Sequence, residues 1–146
     1  DRTSRGLGDV YKRQPLGCAV ASKVIDIYVR DKIFDHAATV GDYLQGRLKE
    51  FADHPLVGDV SGVGMIGALE LVADKASKKP FDGIKVGQFC AKAAEDNGLV
   101  IRPLGGNRVA VCPPLIIETP HVDELIEKFS AALNLTLDWV TAEKLA

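Results

Sequence analysis

Nothing in this sequence of 146 residues approaches the ~20 consecutive apolar residues that span a bilayer, and its start lacks the apolar run of a signal peptide, so no membrane partner is predicted. Cysteine is scarce. Cys18, Cys90 and Cys112 are odd in number, far apart and without CxxC or Cys/His ligand spacing. That pattern argues against a metal centre or redox work and predicts buried thiols in a reducing cytoplasm. An excess of positive charge is missing as well: 18 Lys and Arg stand against 20 Asp and Glu, intermixed along the chain, for a net charge of −2. Such a balance gives no footprint for gripping a phosphate backbone, and no nucleic-acid partner is expected.

Catalytic sets are also thin. Ser61, Ser77 and Ser130 lack the glycine elbow of a hydrolase nucleophile, and Gly62-Val63-Gly64 has no third glycine opening a helix, so it reads as a turn and not as a phosphate cradle. His36, His54 and His121 have no ligand set nearby and read as surface histidines. Schiff-base chemistry needs an amine whose pKa is lowered by burial, whereas each lysine here lies in a loop or on a charge-rich helix, and none is a convincing candidate.

What remains is the composition of one ordinary globular domain, 47% apolar and 26% charged. Residues 1–14, DRTSRGLGDVYKRQ, stand apart, having no periodicity, and their stretch GLGDVYKRQ resembles translated sequencing-adapter sequence. They are expected to be a foreign leader, with the domain proper over residues 15–146. Four of the 18 basic and two of the 20 acidic residues lie in that leader, leaving 14 against 18, a net −4.

From Pro15, the apolar positions Leu16, Ala19, Val20, Val24 and Ile27 predict a first helix. A second is predicted from an N-cap at Asp31, with Phe34, Ala37, Gly41, Leu44, Leu48 and Phe51 on one face, until Asp53-His54-Pro55 stops it. Two strands, one on either side of a turn near Gly62 to Gly64, form a hairpin. Residues 74–82 read as a solvated loop, and a helix from about Gly83 turns Val86, Phe89, Cys90 and Ala94 inward before Gly98 caps it. Leu99-Val100-Ile101 is predicted to pair with Val109-Ala110-Val111-Cys112 across Gly105-Gly106-Asn107. After Pro113-Pro114, Thr119 is the expected N-cap of a closing helix with Val122, Leu125, Ile126, Phe129, Leu133, Leu137 and Val140 inward. The fold class is α/β of the α+β type: a small, mainly antiparallel sheet with helices on one face.

One side chain offers binding chemistry. Arg102 ends the predicted strand Leu99-Val100-Ile101 and is followed by a glycine-rich loop expected to be mobile; its planar guanidinium can hold a carboxylate through two parallel hydrogen bonds. A surface salt bridge is the alternative reading. Arg108 reads as an edge-strand charge.

Four ordered blocks resemble the C-terminal third of class III aminotransferases, above all ω-transaminases that use pyruvate. They are Pro15-Leu16-Gly17-Cys18-Ala19-Val20-Ala21, Val60-Ser61-Gly62-Val63-Gly64-Met65-Ile66-Gly67-Ala68-Leu69-Glu70-Leu71, Gly98-Leu99-Val100-Ile101-Arg102-Pro103-Leu104-Gly105 and Val111-Cys112-Pro113-Pro114-Leu115-Ile116-Ile117. The resemblance implies the small domain of a homodimeric enzyme that uses pyridoxal 5'-phosphate to move an amino group between an amine or ω-amino acid and a keto acid. It gives Arg102 the role of binding the substrate carboxylate. The family's Schiff-base lysine and most of its phosphate cup have no counterpart here, so the piece alone is expected to be inactive. An aminomutase, a decarboxylating relative, or a free-standing module binding a small carboxylate are the other readings.

Overall fold

The computed structural model describes residues 15–81, 83 and 85–145. The expected leader, residues 1–14, lies outside the described residues. The chain forms two compact units, one ending at His36 and the other beginning at Ala37.

Within the first unit, helix α1 spans Pro15–Arg30, entered through a proline that sacrifices no hydrogen bond in a first turn. None of its residues is buried: Leu16 is 75% and Val29 69% exposed. Of the predicted stripe, Leu16, Ala19, Val20 and Val24 are exposed and Ile27 is half-buried. The helix stops where Lys32 takes a positive φ of 51°. Asp31, the expected N-cap of the next helix, instead closes two hydrogen bonds with Arg30 at 2.6 and 2.7 Å. Helix α2, Ile33–Lys49, begins after it. Phe34 departs from its predicted core face and meets Tyr28 edge-on, ring centroids 5.4 Å apart.

The second unit is organised around a four-stranded antiparallel sheet in the order β1-β2-β4-β3. Its strands are β1, Val57–Val63, β2, Ile66–Leu71, β3, Arg102–Leu104, and β4, Arg108–Val111. Strand periodicity turns Val57, Val60, Leu69, Leu71, Val109 and Val111 to one face, where they join a single core with α2, α3 (Val86–Asp96) and α4 (Thr119–Ala142). Ala37, Val40, Gly41, Leu44 and Leu48 are the buried side of α2, and Phe51 follows them from the 3-10 turn Glu50–Asp53. Phe129 of α4 meets Phe51 at 5.3 Å, and Phe89 stacks on Trp139 at 4.2 Å.

The first hairpin sits closely on α2. A Cβ at Gly41 would lie 2.9 Å from the Gly64 backbone, and Gln45 Nε2 donates to the carbonyls of Gly64 and Ile66 at 2.8 and 3.0 Å. Gly64, at φ +54°, supplies the turn; Gly62 belongs to the ladder, opposite Gly67. The exposed loop after β2 is closed by Asp74, whose carboxylate accepts the backbone N–H groups of Ala76 and Ser77. Gly98, at φ +75°, caps α3 as predicted.

Several boundaries differ from the sequence reading. The strand predicted at Leu99-Val100-Ile101 lies three residues further on, at β3. The Leu99 N–H is used in closing α3 on the Ala94 carbonyl, and the three-residue turn Gly105–Asn107 sets Leu104 opposite Arg108. Helix α3 begins at Val86, not Gly83. Glu118, not Thr119, is the N-cap of α4, without a side-chain bond, and Pro120 lies in the first turn. Of the three cysteines only Cys90 is buried; Cys18 and Cys112 are exposed. Apolar neighbours in sequence do not ensure cover, since Cys112 follows the last residue of β4 and Cys18 sits on helix α1, which has no buried residue.

Candidate functional site

The sheet has a second face. Beyond the bulge near Val57 and Asp59, the register places Ser61, Ala68, Ala110 and Arg102 in one row across all four strands. The next row holds Asp59, Glu70, Arg108 and Leu104. Each of these residues is half-buried or exposed, and none joins the core. The face thus has a shallow floor of small side chains with charge along one margin.

Arg102 stands at the β3 end of the small-residue row. It is the first residue of an exposed edge strand, not the last of a buried one, and among the described residues it has neither hydrogen bond nor ion pair. Its guanidinium is therefore available among the described residues. Pro103 follows it, at an edge where a missing N–H costs no ladder bond. The glycine-rich turn behind it, expected to be mobile, is tethered: Asn107, at φ 56°, accepts the Gly87 N–H on its Oδ1 at 3.1 Å. That bond also satisfies one of the free donors at the start of α3.

Arg108 is not an edge charge. Its strand lies between β2 and β3, and its Nη2 approaches Glu70 Oε1 at 3.4 Å. That Glu70 and Asp59 share a face with Arg102 was not foreseen, because only the register shows it. The alternation in Ala68-Leu69-Glu70-Leu71 was the available signal.

The histidines divide. His121 is exposed, but His54 is half-buried, contrary to its surface reading. Its Nδ1 accepts the Leu56 N–H at 3.2 Å. Burial holds its pKa below the ordinary value, the neighbouring Asn134 side chain opposes that shift, and the nearby Lys75 ammonium adds to it; Nε2 itself is buried without a hydrogen-bond partner among the described residues. It borders a groove of about 650 Å³ between the end of α2 and the α4 residues Glu127, Ser130 and Asn134. Cys90, also in the interior, has its thiol pKa pushed up to about 11 by burial, against a weaker opposing hydrogen bond with Thr136. That thiol is inert packing.

A pyridoxal-phosphate site needs a lysine amine held out of water. Among the described residues every lysine is exposed except Lys128, which is half-buried with its ammonium paired to Glu124 at 2.6 Å. The described residues do not form a site for that cofactor. Among the described residues no group of three or more His, Cys, Asp or Glu is placed to hold a metal, and no helix is long and apolar enough to cross a membrane.

Comparison with known proteins agrees with this architecture. Residues 2–133 match the family "Aminotransferase class-III", a span that includes most of the segment set apart as a leader. The putrescine–pyruvate aminotransferase of Pseudomonas aeruginosa is 40% identical over 136 residues, covering 92% of this chain and 30% of its own. The diaminobutyrate–2-oxoglutarate transaminase of Halomonas elongata is 39% identical over 141 residues, covering 94% and 30%. Among solved structures, the ω-transaminase of Pseudomonas jessenii in complex with PMP superposes with a TM-score of 0.82 at 39% identity, over 87% of this chain and 28% of that one. The chain thus spans about 30% of the length of the curated relatives it matches.

Proposed function

Because this chain belongs to the class-III aminotransferases, a family whose cofactor is pyridoxal 5'-phosphate, we propose that residues 15–146 are the small domain of an enzyme moving an amino group between an amine or ω-amino acid and a keto acid such as pyruvate. The observation that carries the reading is Arg102, free of partners among the described residues on the uncovered face of the sheet. Its fork binds the substrate carboxylate, and fixing that end makes the reacting groups effectively intramolecular. The lysine and the phosphate-binding groups belong to the remainder of the enzyme, so this piece alone is inactive. The complete enzyme is a cytoplasmic homodimer. The resemblance of its blocks to that family supports the dimer, and free, partly exposed cysteines fit a reducing compartment.

The test is Arg102→Ala in the complete enzyme, with each substrate class measured separately. A charge-assisted hydrogen bond is worth about 1.5–3 kcal/mol, so kcat/KM for pyruvate should fall roughly tenfold or more. The loss for simple amines and aldehydes, which lack the carboxylate, should be smaller. Equal loss on both classes would remove Arg102 from substrate binding.

A further inference from the structure

Glu70 poses a chemical problem for this site. It is a carboxylate on the same sheet face as Arg102, and a glutamate without a partner there would compete with the substrate carboxylate for that arginine. Glu70 lies two strands over and two residues along from Arg102, about 12 Å between Cα atoms from the strand spacing and rise. Extended arginine and glutamate side chains together bridge that distance. Ala110 and Ala68, between them, present nothing taller than a methyl group to block the way.

Two neighbours hold Glu70 elsewhere. Asp59 faces it directly from β1, and like charges directly opposite repel, turning Glu70 away from β1. Arg108 faces it directly from β4 and takes it at 3.4 Å. An in-register partner has the advantage over one two strands away, because it needs less ordering of both side chains.

We propose that Arg108 is a positioning residue: by engaging Glu70 it keeps that carboxylate from capturing Arg102, and so preserves Arg102 for the carboxylate of the substrate. The inference rests on the role given to Arg102 above and adds what maintains it. Arg108 itself does not touch substrate in this scheme. The pair is exposed, so the effect is modest and weakens as salt screens both contacts.

The experiment is a cycle in the complete enzyme, reading amino-acceptor kcat/KM for pyruvate and for propanal, which lacks a carboxylate. Arg108→Ala should lower the pyruvate value about three- to fivefold, through KM, with a smaller effect on propanal. Glu70→Gln added to Arg108→Ala should restore the pyruvate value, because the competing charge is gone. Glu70→Gln alone should leave it at or above the starting value. Arg108→Lys, which keeps a cation and the fold, should retain most of it. Failure of Glu70→Gln to rescue, or an equal loss on both acceptors, would overturn the proposal. Where Arg102→Ala is selective and Arg108→Ala is not, only this inference fails; where Arg102→Ala is itself unselective, the functional reading fails first.

Discussion

On the covered face of the sheet Leu69, Leu71, Val109 and Val111 are almost wholly removed from water, while one residue along each strand Ala68, Glu70, Arg108 and Ala110 remain half-buried or exposed. The same two strands supply both sets, and neighbouring residues differ only in the side to which they point. The covered face is filled by branched aliphatic chains that gain from leaving water and cannot shrink without leaving a cavity. The open face combines small residues and Leu104 with the Glu70–Arg108 pair, the Asp59 carboxylate and the guanidinium of Arg102, which has no partner among the described residues. Stability and chemistry are thereby separated by a single step along the chain.

That division can be broken by experiment. Leu69→Ala, on the covered face, should destabilise the fold by about 2–5 kcal/mol in a denaturant melt, whereas Ala68→Ser beside it should stay within about 0.5 kcal/mol. A similar cost for both would show that the open face is buried too. Gly41→Ala comes next, at about 1–3 kcal/mol, because its Cβ would lie 2.9 Å from the backbone of Gly64 and force α2 from the hairpin.

His54 gives a smaller effect that depends on pH. Its folded pKa lies below the ordinary value, so the unfolded chain takes up a proton first as pH falls. The stability it contributes is present above pH ~6.5, the unfolded value, and is lost as pH falls through the lowered folded pKa. His54→Gln should flatten that part of a stability-against-pH curve; an unchanged slope would place the cause elsewhere. Last, thiol labelling in the native state should modify Cys18 and Cys112 and spare Cys90, whose thiol is both enclosed and raised to about 11. Rapid labelling of Cys90 would mean that the helical layer opens readily.

Much of the fold is legible in the residues. Repetition at three and four placed Leu44, Leu48, Phe129 and Leu133 correctly inside, and Gly64 and Gly98 marked chain reversals that need positive φ. Errors fall where local signals compete. Leu99-Val100-Ile101 has the better strand composition, but α3 uses the Leu99 N–H in its cap, leaving Arg102–Leu104 to pair. Phe34 continues the periodicity of α2 yet is 61% exposed, because a pattern records what an element could bury and not what arrives to cover it. His54 looked superficial in a charged stretch, while its burial arises from α4, some eighty residues away.

By itself the sequence determined the family, the kinds and order of elements, and the candidacy of Arg102. These depend on residue type and short-range spacing. Only the tertiary structure decided which residues share a face with Arg102, because strand register couples positions 40 residues apart through hydrogen bonds that no local pattern encodes. Register made Arg108 an interior-strand partner of Glu70, and showed that Arg102 stands without a partner among the described residues at the edge of an open sheet.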